Sequence, residues 1–458
     1  MNQIIHEEEA YISESEKALG SQSIGRLFAH YSIPGVIGLL FIGIQSIVDG
    51  LMVGNLLGAD ALAAVSLVLP LFSLIIALSV IIGIGSQTIV SINLGKKNYS
   101  EANDAMTTGF IAILASSTFL AAFTLGLLDP LARLLGANEL LLPLAKGYMA
   151  GLFPFVPFLG PVYYSDFMIK AIGHPRYAMS IISGAVLLNV IFNWVFIQIF
   201  GWGTMGTGLA TGFAFCSGGI FSFLIVFNKK NIISVQSGRF RMRLLKEMFY
   251  NGSSEGLTEL AAGISTFLFN ITLMKYLGES GVAAFTVINY VFFVGTTVFL
   301  GISDGIIPII SYNYGANLIK RVKKVLFLGF RTNIIIGLIL FSILFFFSQT
   351  IISFFFREND GTIITIASHG AAIYAFAFLT SGFNILSSSF FTGMANAKIS
   401  VIIASLRGLI FTIAGILLLP HFIGIEGIWL TIPIAESLTF LISFILVYRK
   451  LKSMSIQQ

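Results

Sequence analysis

The sequence predicts an all-α polytopic membrane protein with twelve transmembrane helices in two six-helix lobes. Of its 458 residues, 56% are hydrophobic and 10% are charged, whereas a soluble protein carries about 25% charged residues. Apolar runs of about 20 residues, long enough to cross a bilayer as helices, recur along the chain. They are too long, and alternate too poorly, for the strands of an outer-membrane barrel.

Breaks in hydropathy divide the chain into twelve apolar segments. Each segment is followed by a short polar or glycine-containing stretch, which we interpret as a loop. The predicted spans are 30–55, 62–84, 103–128, 141–168, 177–200, 205–227, 248–275, 282–312, 324–350, 364–392, 400–419 and 427–448.

Lys and Arg residues concentrate in alternate loops and near both ends of the chain. The positive-inside rule therefore places both termini in the cytoplasm. The acidic segment 1–25 lacks the basic start and apolar centre of a signal peptide, so we expect a cytoplasmic tail there. A second, shorter tail is expected over 451–458.

An internal repeat relates the two halves of the chain. The motif Leu57–Ala64 recurs 220 residues later as Leu277–Ala284, without a gap. Six helices are an even number, so both halves cross the membrane in the same sense, related by a pseudo-twofold axis along the membrane normal. We expect an N-lobe over 26–228, a basic cytoplasmic linker over 229–247 and a C-lobe over 248–450. A central cavity and alternating access by rocking of the lobes would follow.

Asp49 is the only charge in the first predicted helix. A carboxylate at the centre of a membrane costs about 2.5–3.5 kcal/mol on insertion scales. Gln45 lies one turn earlier on the same face, so the polar face points to a protein interior or a water-filled pocket. We hypothesise that Asp49 takes a proton or binds a cation and couples an ion gradient to movement. The alternative is a hydrogen-bonded Asp that holds helices together.

Two polar pairs recur at helical spacing in the fifth and sixth predicted helices: Asn189 with Asn193, and Thr207 with Thr211. Amide and hydroxyl oxygens are ligands that a hard cation such as Na⁺ accepts. The same residues also commonly form hydrogen bonds between membrane helices. Spacing alone leaves both interpretations open.

Three further acids fall within the seventh and eighth predicted helices. Glu255 and Glu259 share one face of the seventh helix, and Asp304 lies near Gly305 and Pro308 in the eighth. We expect all three to face a substrate cavity, although Glu255 also suits the favourable field of a helix N-terminus.

Arg407 and Glu436 are expected to form a structural or cavity ion pair between the last two helices. Aromatic residues are numerous, and most of them serve lipid contact and packing. The candidates for the substrate cavity are Tyr148, Phe153, Phe285, Tyr290 and Tyr374.

Signatures of other functions are missing from the sequence. It has no Walker A loop, its five His residues lack metal-ligand spacing and its single cysteine excludes a disulfide within the chain. The net charge of +5 comes from loops without interleaved aromatic platforms, which does not suit nucleic acid. We therefore expect neither an enzyme nor an organic cofactor.

Several segments resemble the multidrug and toxic compound extrusion (MATE) family, in its MepA-like bacterial branch. Val48–Gly54 and Leu57–Val65 look like the first helix of that family and the loop after it. Ile307–Ala316, Leu188–Trp194 and Gly201–Thr211 resemble the MepA-like branch. The resemblance extends from about Ile24 to Lys452.

The resemblance implies a twelve-helix antiporter that exports organic cations in exchange for Na⁺ or H⁺. The family's N-lobe cation site carries over to Asp49, Asn189 and Thr211, and Thr207 would contribute through its backbone. Asn193 departs from the family pattern, in which Asp is frequent, so the site has one formal charge fewer. A possible Na⁺ would be held by Asp49, Asn189, Asn193 and Thr211.

Together with this resemblance, the sequence predicts a secondary active multidrug efflux transporter that acts as a monomer in a bacterial plasma membrane. The alternative is a flippase for lipid-linked precursors or polysaccharides of the same superfamily, which would need more cavity cations than Arg331 and Arg407. A channel or a membrane scaffold is disfavoured by the two-lobed repeat.

Overall fold

The computed structural model describes residues 14–355 and 361–456. Parts of the two predicted tails, 1–13 and 457–458, lie outside the described residues. The described chain is helical throughout, without a strand. Eleven of its helices are long and apolar enough to cross a membrane. The all-α fold class is therefore confirmed.

The longest of these helices accounts for the twelfth span. Met242–Gly315 contains 74 residues, about 110 Å at 1.5 Å per residue, whereas the bilayer core is about 30 Å thick. Gly278, with φ 63° and ψ −153°, breaks it into two helices. The twelve spans, in the described part of the chain, are α1 (Ile24–Leu57), α2 (Ala59–Gly95), α3 (Tyr99–Gly126), α4 (Leu142–Ala171), α5 (Pro175–Ile199), α6 (Gly203–Val226), α7 (242–277), α8 (279–315), α9 (Ile319–Ser353), α10 (Gly361–Gly393), α11 (Ala397–Ile423) and α12 (Ile425–Ile456).

Shorter elements join or interrupt the spans. Helices Glu14–Ser21 and Leu128–Leu134 and the 3₁₀ turn Val235–Ser237 lie outside them. The 3₁₀ turns Phe153–Phe155 and Ala375–Ala377 interrupt α4 and α10. Two π-helical turns are also present: Val195–Ile199 ends α5, and Leu406–Ile410 lies within α11.

The internal repeat is visible in the backbone. Gly58 between α1 and α2 and Gly278 between α7 and α8 both have positive φ, 92° and 63°. They occupy the same place in the repeated Leu-Gly motif. Lys97 and Asn317, also 220 residues apart, each have φ 58° although neither is glycine. The two halves therefore turn their chains in the same way at equivalent positions.

The described chain divides into two compact units. The first unit combines the described residues up to Ser23 with Ile37–Gly252, and the second combines Ile24–Val36 with the described residues from Ser253 onward. The first turns of α1 thus belong with the second unit, and the first turns of α7 belong with the first. Hydropathy alone would assign each of these segments to the same unit as the rest of its helix.

The first unit encloses an apolar core formed largely by α2 and α4, with Val68, Leu152 and Val156 fully buried. The predicted linker 229–247 does not run free in the structure. Thr107 Oγ1 on α3 donates to the Val235 carbonyl at 2.6 Å, so the linker is held against the start of that helix.

The second unit has its own core around aromatic side chains, among them Phe299 and Trp429. Within this unit, the backbones of α1 and α8 come very close to each other. A Cβ atom at Gly301 would lie 2.5 Å from Val36 Cα, so no larger residue fits there without a shift of backbone. The start of α1 is therefore closely fitted to α8 within this unit.

Candidate functional site

The polar residues of α1 lie inside the first unit. Gln45 is buried and Asp49, one turn later, is half-buried. Asn193 on α5 donates to Asp49 Oδ1 at 2.9 Å, and Gln45 also hydrogen-bonds the carboxyl group. An acid on an apolar helix is thus held by amide donors from its own helix and from α5.

The network continues from α5 to α6. Asn189 Nδ2 donates to Thr211 Oγ1 at 3.1 Å, and Thr211 Oγ1 donates to the Thr207 carbonyl at 3.3 Å. Asn189 and Asn193 are fully buried. The structure therefore brings all six predicted coupling residues into one connected cluster on three helices.

The Asn189 amide can serve this cluster in two orientations. One terminal atom of the amide lies 2.7 Å from Asp49 Oδ1 and the other 3.1 Å from Thr211 Oγ1. With nitrogen towards Asp49, the amide donates to an ionised carboxylate and accepts from Thr211. With oxygen towards Asp49, it accepts from a protonated carboxyl group and donates to Thr211. In the second orientation the amide oxygen also accepts from Asn193 Nδ2 at 3.3 Å, a hydrogen bond that the first orientation exchanges for the one to Asp49.

Two buried oxygen atoms of the cluster have spare capacity. Within residues 14–355 and 361–456, neither Asn193 Oδ1 nor Thr207 Oγ1 has a hydrogen-bond partner. Buried polar atoms in proteins are almost always satisfied by protein, water or an ion. One carboxylate with several neutral oxygens is also the donor set that a hard monovalent cation accepts. The residues present therefore fit a bound Na⁺.

Among the described residues, no group of three or more His, Cys, Asp or Glu side chains is placed so that it could hold a metal ion. Asp49 is the only acid among the six residues of its cluster. The π-helical turn Val195–Ile199 follows Asn193 by two residues. Such turns are frequent at functional sites, since they change the direction in which neighbouring side chains point.

Tyr148 and Phe153 on α4 lie in the apolar core of the first unit. Tyr148 is 5% exposed and Phe153 is fully buried. Tyr148, together with Tyr163, lies within electrostatic range of Asp49. In this structure both predicted cavity residues are thus buried in the core of the first unit, and their substrate role stays a prediction.

The second unit contains a cleft of about 260 Å³. Phe269 and Phe285 stack in parallel on its apolar side, with ring centroids 4.7 Å apart, and Tyr374 meets both rings edge-on. The polar residues of its wall include Glu259, Asn289, Arg407 and Glu436.

An ion pair lies in the wall of the cleft. Arg407 Nε lies 3.0 Å from Glu436 Oε1, with 14% and 5% of the two side chains exposed. Asn384 on α10 donates to Glu436 Oε2 at 2.7 Å, and Ser443 donates to Asn384 Oδ1 at 2.7 Å. The pair that the sequence suggested is therefore present, and polar residues of α10 and α12 hold it in place.

The other predicted acids of the second unit differ in position. Glu259 is exposed and lines the cleft. Glu255 is half-buried and lines an adjoining pocket of about 10 Å³, room for about one water molecule. Asp304 is half-buried on α8 and lies within electrostatic range of Glu255. Tyr290, which is 52% exposed, is not part of the cleft wall.

Comparison with known proteins bears on this arrangement. The MatE family model matches the chain twice, over residues 34–195 and again over 256–417. The chain belongs to the MatE family. Since the two matches start 222 residues apart, the internal repeat is a repeat of the MatE unit itself.

Individual relatives agree with this assignment. The chain is 26% identical over 425 residues to the multidrug export protein MepA of Staphylococcus aureus, covering 92% of each chain. It is 25% identical over 432 residues to MepA of Staphylococcus saprophyticus, covering 93% of this chain and 94% of the relative. The crystal structure of MATE in complex with MaD3S has a TM-score of 0.90 and 21% identity, covering 97% of this chain and 99% of that one. That likeness shows the fold.

Sequence reasoning misses part of the polar framework of this MatE chain. Asn384 is not predicted, because α10 contains no acid that would mark one of its faces as polar. Phe269, which stands at the position equivalent to Asp49 in the repeat, is not identified from sequence as a cleft residue. An asparagine at membrane depth is the signal that could have identified Asn384, and the register of the repeat is the signal that could have identified Phe269. The two π-helical turns have no sequence signal.

Proposed function

We propose that this chain is a secondary active exporter of small organic cations, driven by Na⁺ or H⁺ entering in exchange. The observation that carries the proposal is the Asp49 cluster, a single acid inside the membrane surrounded by amide and hydroxyl groups. The relatives named as multidrug export proteins support the substrate class. The substrate undergoes no chemical change, so the chain acts as a transporter and not as an enzyme.

The coupling step follows from the two orientations of the Asn189 amide. When Asp49 is ionised, the amide donates to the carboxylate and accepts from Thr211, so the Thr207 carbonyl loses the hydroxyl of Thr211 as its second donor and keeps only its helical N–H. When Asp49 is protonated, the amide donates to Thr211 and the hydroxyl of Thr211 turns back to Thr207. Ion binding or protonation at α1 is thereby passed to the backbone of α6.

Na⁺ would act at the same place. It would take up Asn193 Oδ1 and Thr207 Oγ1, which lack partners in the described part of the chain, together with an oxygen of Asp49. H⁺ and Na⁺ therefore compete for one carboxylate. Since Asn193 brings no second charge, we expect Na⁺ to bind more weakly than to a site with two acids.

The cleft of the second unit supplies a binding surface for the substrate. The stacked Phe269 and Phe285 are 1% and 4% exposed and support the apolar wall of the cleft. Phe293 in the same wall is 53% exposed and offers apolar contact to an aromatic ring, and such rings also attract cations. Arg407 is neutralised by Glu436, so Glu259 remains as the acid that favours positive charge. An aromatic cation suits this combination.

A flippase for lipid-linked phosphates is less well supported. A phosphate would need cations in the cleft, and the only cation in the cleft wall, among the described residues, is Arg407, which is paired. Arg331 is exposed on α9 and is absent from that wall. We further propose that the chain acts as a monomer in a bacterial plasma membrane, with both termini in the cytoplasm, as its basic loops indicate.

Proteoliposomes loaded with ethidium test the proposal. The purified chain is reconstituted, the Na⁺ gradient and the pH gradient are imposed separately, and ethidium movement is followed by fluorescence. We expect movement against the ethidium gradient when an ion gradient of one kind is imposed. Glu259→Gln should weaken ethidium transport, while the matched change of an exposed acid, Asp60→Asn, should leave it intact. Ethidium movement that ignores both gradients would refute exchange.

A further inference from the structure

A groove between α5 and α6 of the first unit serves neither the Asp49 cluster nor the substrate cleft. It has a volume of about 450 Å³. Its walls are almost entirely apolar, with Phe221 and Leu224 63% and 67% exposed. A Cβ atom added at Gly184 would meet no atom within 4 Å, so the centre of the groove is open.

The length of the groove matches one leaflet of a bilayer. On α5 it extends from Tyr177 to Leu188, about 16 Å at 1.5 Å per residue. Half of the bilayer core is about 15 Å. An acyl chain entering at one end of the groove would therefore reach the middle of the membrane at the other.

Basic residues lie at the cytoplasmic end of the groove, and none of the described residues along its walls is basic. Arg176 precedes the first groove residue of α5, and Lys229 and Lys230 follow the end of α6. All three are exposed. Basic residues at the cytoplasmic ends of membrane helices bind the phosphates of anionic lipids. The groove thus offers an apolar channel for the tail of a lipid and three cations for its head.

The second half of the chain carries larger side chains at the positions equivalent to the groove residues of α5. α11 starts 222 residues after α5, so Lys398 takes the place of Arg176, and Leu406 takes the place of Gly184. Similarly, Ile402 takes the place of Ser180. Lys398 therefore provides an internal control, since it is a helix-end cation followed by larger side chains at the positions of Ser180 and Gly184.

We infer that the groove between α5 and α6 binds one anionic diacyl phospholipid of the cytoplasmic leaflet, with its headgroup at Arg176, Lys229 and Lys230. An acyl chain in the groove would contact the helix that carries Asn189 and Asn193. A bound lipid would therefore stabilise the α5–α6 pair that supports the Asp49 cluster. This site is separate from the exported substrate, so its failure would leave the proposed export intact.

Native mass spectrometry of the full chain in detergent provides the test. Dioleoyl phosphatidylglycerol and dioleoyl phosphatidylcholine, which share their acyl chains, are titrated separately. We expect one phosphatidylglycerol to be retained in preference to phosphatidylcholine. Arg176→Gln should weaken phosphatidylglycerol retention about fivefold, the value of about one interfacial charge, and leave phosphatidylcholine unchanged.

Variants of the groove itself separate shape from charge. Gly184→Leu copies the second half and should reduce retention of both lipids, whereas Gly184→Ala should not. Ser180→Ile, on an exposed position, provides a second filled groove if Gly184→Leu fails to fold. Lys398→Gln should retain phosphatidylglycerol as the wild type does.

Three results would overturn the inference. Equal retention of the two lipids by the wild type would show that the basic residues do not select an anionic headgroup. Unchanged retention in a folded Gly184→Leu or Ser180→Ile variant would show that the lipid does not bind in the groove. A dimer of the wild type that dissociates in these variants would identify the groove as an interface between copies of the chain.

Discussion

Arg407→Gln should destabilise the protein by about 3–5 kcal/mol, because it leaves Glu436 as a buried charge without its counter-ion. At 3.0 Å, two unit charges attract by about 5.5 kcal/mol at an effective dielectric constant of about 20. Asn384 keeps its hydrogen bond to Glu436 Oε2 at 2.7 Å in the variant, which offsets part of the loss. The net expectation therefore stays below the Coulomb figure.

The assay is unfolding in mixed detergent micelles, titrated with dodecyl sulfate and followed by circular dichroism. Arg407→Gln combined with Glu436→Gln removes both charges and should recover most of the stability. Arg133→Gln, which breaks the exposed pair with Glu139, serves as the control and should cause no measurable change. A double variant as unstable as Arg407→Gln alone would refute the view that the unpaired carboxylate is the cause.

Three other substitutions test separate parts of the structure. Thr211→Val removes the hydroxyl that links the amide network to α6, so ion-driven ethidium accumulation should fall while Thr211→Ser keeps it; equal accumulation in both would exclude the link. Phe293→Ala removes an exposed ring from the cleft wall and should weaken ethidium binding about two- to tenfold in a fluorescence titration; unchanged binding would place the substrate elsewhere. Gly301→Leu, next to the Val36 backbone, should abolish folded protein in size-exclusion chromatography, whereas Gly263→Leu, which has open space, should behave normally; a well-folded Gly301→Leu would contradict the close approach.

The sequence predicts the helical architecture well because the bilayer fixes the length of every span. Even the break between α7 and α8 is readable, since Gly278 occupies the repeated position of Gly58. The grouping of Ile24–Val36 with the second unit is not readable. It depends on the backbone approach of Val36 to Gly301, and hydropathy contains no information about which helices meet.

The candidate site is predictable to a lesser degree. Helical spacing pairs Asn189 with Asn193, and the family resemblance joins them to Asp49; their hydrogen bonds appear only in the structure. The cleft is harder still. Phe269 and Phe285 stack in the second unit where the first has its acid, and aromatic residues in a membrane protein have too many other roles for sequence to select them.

The central claim is that the state of Asp49 drives export, and gradient-driven transport by Asp49→Asn tests it most directly. Asn keeps the size and the hydrogen-bonding reach of the side chain but has no ionised form. In proteoliposomes with an imposed ion gradient, the wild type should concentrate ethidium, and Asp49→Asn should be folded yet unable to concentrate it. Ethidium accumulation by Asp49→Asn at the wild-type level would contradict the account.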